Sequence, residues 1–186
     1  MNPAPVPVRR KALVLLSGGL DSTLAARILQ EQGVDLHAIH FTSPFCTCSR
    51  PEAGNGGCRS QARIVAERMG IPLRTLAKGE EYLEVVKFPR HGRGKAMNPC
   101  IDCRIFTLRK ARAFMEEIGA SFLVTGEEVG QRPMSQRADA LRGIARHSGC
   151  QGLVLRPLSA RHLPPTVPER EGWVDRERLL AITGRS

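Results

Sequence analysis

"KALVLLSGGLDST" (residues 11–23) joins a short apolar run to a Gly-Gly turn and then to a helix-forming segment, and this order decides the fold. The run 11–16 is continuous rather than alternating, as in a strand covered on both faces. Ser22 to Gln32 carries helical spacing and stops at Gly33. Between them, Ser17, Gly18 and Gly19 can turn backbone N–H groups toward an anion at a helix N-terminus, where the helix dipole favours negative charge. A kinase-type phosphate loop would end in Gly-Lys-Ser/Thr, and this loop has no lysine. Asp21 stands instead where a carboxylate can hold Mg²⁺. Loss of pyrophosphate suits the loop better than transfer of a γ-phosphoryl group. A plain Gly-Gly turn capped by Asp21 or Ser22 is the alternative reading.

Working outward, the same strand and helix alternation continues. Residues 34–41, 72–77, 121–125 and 153–158 read as strands, and 61–70, 101–118 and 134–149 as helices. "VDRERLLAITG" (174–184) reads as a last helix. The fold class expected is α/β, a Rossmann-like parallel five-stranded sheet with helices on both faces. Residues 1–10, with three prolines, read as a flexible tail. The domain spans 11–186, with a core at 11–160 and an extension at 161–186. Two long loops, Ser43 to Cys58 and Phe88 to Pro99, follow strands, where open α/β sheets bind ligands. "PPTVPEREGW" (164–173) carries no functional reading at this level.

The chain of 186 residues carries a net charge of +10, which draws polyanions and points to RNA or DNA, an Arg-rich surface being the alternative. Lys87 to Arg112 holds eight Lys/Arg and one acid, Asp102. No apolar run reaches the ~20 residues of a membrane span, and no signal peptide is evident, so the expected compartment is cytoplasmic. Thiols stay reduced there, and cysteines read as metal ligands or sulfur chemistry rather than disulfides. Cys100 and Cys103 sit at a helix start, which lowers thiol pKa. With Cys46 or Cys48 they form a candidate metal set, and a Cys-x-x-Cys alone is equally half of a zinc site. Cys150 reads as a small apolar residue.

Ser17, Gly18, Gly19, Asp21 and Ser22 form an S-G-G-x-D-S that resembles the PP-loop of the ATP pyrophosphatase superfamily, whose fold is the adenine nucleotide alpha hydrolase-like one. The resemblance implies ATP binding by Ser17 to Ser22, Leu20 included, and adenylation of an oxygen. Thr125, Gly126, Glu127, Gly130, Gln131, Ser135, Gln136 and Arg156 resemble the matching segments of tRNA 4-thiouridine synthases. There Gly126 and Glu127 join the nucleotide site. Arg132 and Ser135 are placed against phosphate or base, a capped helix start being the alternative. "NPCIDC" (98–103) is similar to the catalytic-cysteine region of tRNA 2-thiouridylases, with Cys103 the match by spacing. Its Cys-x-x-Cys is similar to that of iron-sulfur-dependent thiolases.

What the resemblance implies is ATP-dependent thiolation of a tRNA uridine, with Asp21, Cys103 and Cys100 as catalytic residues and ATP and Mg²⁺ as cofactors. A [4Fe-4S] cluster is held by Cys46, Cys48, Cys100 and Cys103, Zn²⁺ being the alternative. The product expected is 4-thiouridine. A 2-thiouridylase using a cysteine persulfide, or a small-molecule amide or nitrile ligase with structural zinc, is the alternative. Partners implied are tRNA and a sulfur donor, sulfide or a cysteine desulfurase. With the loop so near the start, RNA binding is expected from the basic face, a homodimer or a further C-terminal portion.

Overall fold

The computed structural model describes residues 10–43, 45, 58–94 and 97–184, with only the backbone course for 58–60. Five strands, β1 (Lys11–Leu15), β2 (Asp35–Thr42), β3 (Leu73–Ala77), β4 (Phe122–Val124) and β5 (Val154–Leu155), form one sheet. Its order is β3-β2-β1-β4-β5. Every neighbouring pair is parallel, with Val14 beside Ala38 on one side and Val124 on the other. The helices are α1 (Leu20–Gln30), α2 (Cys58–Met69), α3 (Glu81–Lys87), α4 (Cys100–Glu117), α5 (Ala138–His147) and α6 (Val167–Arg170).

Because side chains alternate along a strand, the apolar run 12–16 feeds two cores. Ala12, Val14 and Leu16 meet Ala25, Ala26 and Leu29 of α1 on one face, together with Val174 and Leu179 from the C-terminal segment. Leu13, with Ile39 and Leu123, meets Ile105, Leu108 and Ala111 of α4 and Ile144 of α5 on the other. The methyl side chains of Ala25 and Ala26 let α1 lie close on the sheet. After α1, Gly33 takes φ +80, and the Val34 N–H donates back to Leu29 O at 3.1 Å, returning the chain to β2. Cys150 is fully buried in the second core, where its environment pushes the thiol up. Among the described residues no helix is long and apolar enough to cross a membrane.

The five-stranded parallel sheet is the one expected, but three elements differ from the expected pattern. Residues 81–87 form α3, whose seven residues are too short to show a helical period in sequence. The helix expected from 134 starts at Ala138, because 130–137 is spent on turns closed by Gly130 N to Gln136 O (2.8 Å) and Gln136 N to Arg132 O (3.0 Å). The last helix is absent: Arg176–Arg178 is a single 3₁₀ turn, and the chain then runs extended. The Leu180 and Ile182 N–H groups donate to Pro157 O (2.9 Å) and Leu158 O (2.8 Å), and Leu179 is drawn into the core at 1% exposure. Tertiary backbone partners there replace the i−4 bonds of a helix.

Candidate active site

The strand order reverses beside β1, so the carboxyl ends of β1 and β4 open onto the crevice where such sheets take ligands. The loop after β1 is held by its own hydroxyls. Ser22 Oγ donates to Gly19 O (3.0 Å) and accepts from Ser17 N (3.2 Å). Ser17 Oγ accepts from Gly19 N (3.2 Å), so its proton goes to Ser22 Oγ (3.0 Å). One donor and two acceptors at Ser22 are thereby all used. Gly18 has φ +85, and a Cβ there would lie 2.5 Å from Ala62 N. A Cβ on Gly126 would lie 2.5 Å from Ser22 N, so the end of β4 presses directly on the start of α1. Leu20, on the outer side of the loop, is 79% exposed.

Asp21 lies in the first turn of α1 and accepts from Gln131 Nε2 at 2.8 Å. The Glu128 carboxyl is pushed up by partial burial and by the neighbouring Asp21 charge. Two neighbouring carboxylates, Asp21 and Glu128, at the start of α1 suit a hard divalent cation.

Opposite the loop stands the cysteine wall, and a cavity of about 380 Å³ lies between them, reached by Ser17, His40, Cys100, Cys103 and Arg132. Cys100 opens α4, and the Cys103 N–H closes its first turn on Pro99 O at 2.8 Å. Lys78, just past β3, donates to Cys103 Sγ at 3.1 Å, and Tyr82 Oη of α3 does the same at 3.1 Å. Burial alone would raise the Cys103 thiol. The Lys78 ammonium, the Tyr82 hydroxyl and the Arg104 charge more than offset it, so the thiol lies below its ordinary range. Burial and the hydrogen bond to this sulfur hold the Tyr82 phenol up, so it stays a donor. His40 Nδ1 donates to Leu16 O (2.8 Å), and its Nε2 is buried at the cavity without a hydrogen-bond partner among the described residues.

Glu127 reaches this edge of the sheet, but its carboxylate is 3% exposed and turned inward. It lies 3.0 Å from Arg156 Nε and 3.2 Å from Arg104 Nε, and Thr125 Oγ1 donates to it at 3.1 Å. Burial would raise this carboxyl, and the two guanidinium groups hold it below the usual range instead. It ties α4 to β4 and β5 beneath the cavity. Ser135 is buried, and Arg132 is exposed at the rim. His91 donates its backbone N–H to Asp102 Oδ2 (2.9 Å), and its Nδ1 lies 2.8 Å from Oδ1, fastening the 88–99 loop to α4.

Cys46 and Cys48 lie outside the described residues, as does the tail 1–9. Among the described residues no three His, Cys, Asp or Glu side chains converge as a metal set. Cys103 already accepts from two protein donors. The described donors therefore fit a reactive thiol and do not by themselves fit a [4Fe-4S] cluster or a zinc ion. Lys78, Tyr82 and the link from Gln131 to Asp21 were not foreseen from the sequence. Only the position of Lys78 at the carboxyl end of a strand signalled it.

A family model described as "Thiamine biosynthesis protein (ThiI)" matches residues 7–162. The tRNA-specific 2-thiouridylase MnmA of Pseudomonas paraeruginosa is 29% identical over 154 residues, covering 76% of this chain and 39% of the relative. The MnmA of Azorhizobium caulinodans is 32% identical over 149 residues, covering 75% and 37%. This chain thus spans about two-fifths of the length of the curated relatives it matches. Among solved structures, a 4-thiouridine synthetase in complex with RNA and with bound ATP superposes with a TM-score of 0.62 at 27% identity. It covers 91% of this chain and 42% of that one. A predicted subunit of a tRNA methyltransferase from Methanocaldococcus jannaschii shares the fold, with a TM-score of 0.52 at 19% identity, covering 79% and 68%.

Proposed function

This chain belongs to the ThiI family, and from that premise we propose that it spends ATP to replace a carbonyl oxygen of a tRNA uridine with sulfur. The observation that carries the proposal is that Ser17, the first residue of the phosphate loop, and Cys103 line one cavity. The phosphates are received at the N-terminus of α1, where the Ser17 and Gly19 N–H groups exchange their serine hydroxyl partners for phosphate oxygens. Asp21 would hold Mg²⁺, which would supply charge neutralisation to the phosphates. The uracil oxygen attacks the α-phosphorus, and the loop donors stabilise the leaving pyrophosphate.

Cys103, whose thiol Lys78 and Tyr82 draw below its ordinary range, gives up its proton and takes a sulfane sulfur from a donor such as a cysteine desulfurase. The terminal sulfur attacks the activated carbon, and AMP leaves. Cys100 then breaks the sulfur-sulfur bond at Cys103, which frees the thiouridine and leaves a Cys100–Cys103 disulfide for an external dithiol to reduce. RNA is drawn to the basic stretch from Lys87 to Arg112, which borders the same cavity.

Attack by O4, giving 4-thiouridine, is the product reading supported by the likeness to the synthetase. The 2-thiouridylase relatives favour O2 as the second reading. Nucleoside analysis of tRNA after reaction separates them. An iron-sulfur cluster on Cys100, Cys103 and Cys46 or Cys48 is the rival sulfur carrier, supported by two thiols on one wall. It requires iron in anaerobically reconstituted protein, and thiouridine formation by metal-free protein removes it. The central test is Asp21→Asn: AMP release that depends on tRNA should vanish. Release unchanged in that variant overturns the proposal, and release without tRNA turns it toward a small-molecule ligase.

A further inference from the structure

A second and larger cavity, of about 790 Å³, lies on the outer side of β5, between α5 and the segment 160–170. Its outer wall is the stretch 164–173 for which the sequence offered no role. That wall is built before any ligand arrives. Thr166 and Glu169 form a capping box at the start of α6, and the Val167 N–H donates to Gly152 O at 2.8 Å. Arg176 pairs with Glu169, and its Nη2 donates to Ala160 O and Leu163 O, each at 2.9 Å. The floor is apolar, formed by Leu141, Val154, Leu155 and Leu163.

Around this floor stand four arginines. Arg142 and Arg146 are exposed on one face of α5, four residues apart and therefore neighbours. Arg170 faces them from the opposite wall. None of these three pairs with an acid among the described residues. The two acids in the lining are already engaged, Asp139 with Arg137 and Glu169 with Arg176. The fourth, Arg156, is 6% exposed and paired through Nε with Glu127, and among the described residues its Nη2 is buried with no hydrogen-bond partner. An orphaned buried guanidinium nitrogen is costly, and an anion at this lining satisfies it.

We propose that this cavity is a binding site, separate from the phosphate loop, for a nucleoside phosphate. Its arginines take the phosphate and its apolar floor takes the ribose and base. Guanidinium groups bind phosphate in bidentate fashion and stack on flat rings, and the volume is that of a small-molecule pocket. The same chemistry is offered by a free nucleotide and by one nucleotide of an RNA strand. The site does not depend on the thiolation proposal.

The test is calorimetric titration of the whole chain with AMP and, separately, with a five-nucleotide RNA, with no other nucleotide present. Arg142→Ser/Arg146→Ser is compared with the native chain, and both side chains are exposed, so the fold is not at stake. At least one probe should bind the native chain with a site, one per chain, that is tenfold or more weaker in the variant. Binding by AMP alone identifies a free nucleotide, and binding by the RNA alone identifies a nucleotide of a strand. Failure of both probes to bind the native chain, or equal binding by the variant, overturns the proposal.

Discussion

The two sides of the active-site cavity are held by different forces. The phosphate loop is shaped by backbone groups and two serine hydroxyls within six consecutive residues. The cysteine wall depends on charged and phenolic side chains brought from β3, α3 and β4. A loop tuned by local hydrogen bonds keeps its form wherever a strand and helix flank it. A thiol held below its ordinary range by distant charges depends on the whole sheet edge being assembled. In the proposed reaction the first side activates an oxygen and the second supplies what replaces it, so each can be broken without the other.

The sharpest break is Cys103→Ser. Thiouridine formation should fall by about a thousandfold or more, the scale on which removing a nucleophile acts, while tRNA-dependent pyrophosphate release persists. Loss of both together would mean that the two sides are not separable. Glu127→Gln attacks the support beneath the wall, leaving Arg104 and Arg156 without their counter-charge. Unfolding in denaturant should show a loss of about 3 kcal/mol or more, as when one member of a buried ion pair is removed.

The native pair also carries a pH signature. The Glu127 carboxyl lies below its unfolded value, so its contribution is complete above that unfolded value, about 4.3. It is lost as pH falls through the lower, folded value. Glu127→Gln should therefore flatten the acid limb of the stability curve.

On the loop side, Gly18→Ala places a methyl against the backbone of α2 at a positive φ. Adenylation should drop about a hundredfold, as for a misplacement of about 1 Å, while Cys103 keeps its alkylation rate. Lys78→Met should do the reverse. With the ammonium gone, the midpoint for Cys103 alkylation moves to higher pH and the rate at neutral pH falls about tenfold, with pyrophosphate release unchanged. The mildest expected effect is that of Gln131→Ala. It frees one oxygen of Asp21 and should raise the KM for ATP by about threefold with little change in kcat, consistent with one lost hydrogen bond of about 0.5–1.5 kcal/mol.

These variants also mark where sequence reading stopped. The turn from Ser17 to Ser22 was legible because its hydrogen bonds join residues two to five positions apart. The strand alternation was legible because apolar runs of four to six residues have few other uses in a parallel sheet. Lys78 and Tyr82 were invisible because they act on a sulfur 25 and 21 residues further on, and α3 that carries Tyr82 is too short to announce itself. The resemblance assigned Glu127 to the nucleotide site and gave no sign that its side chain braces two arginines, Arg104 and Arg156. "VDRERLLAITG" has helical spacing, yet the edge of the sheet offers its backbone better partners than its own carbonyls.

By itself, then, the sequence determined the alternation of elements, the parallel sheet and the anion-binding turn, because each follows from periodicity or from contacts a few residues long. Only the tertiary structure decided which groups face the Cys103 sulfur, where the Glu127 charge is directed and what the C-terminal segment encloses. Those depend on side chains that meet across the sheet, and no local pattern encodes a meeting between residues far apart in the chain.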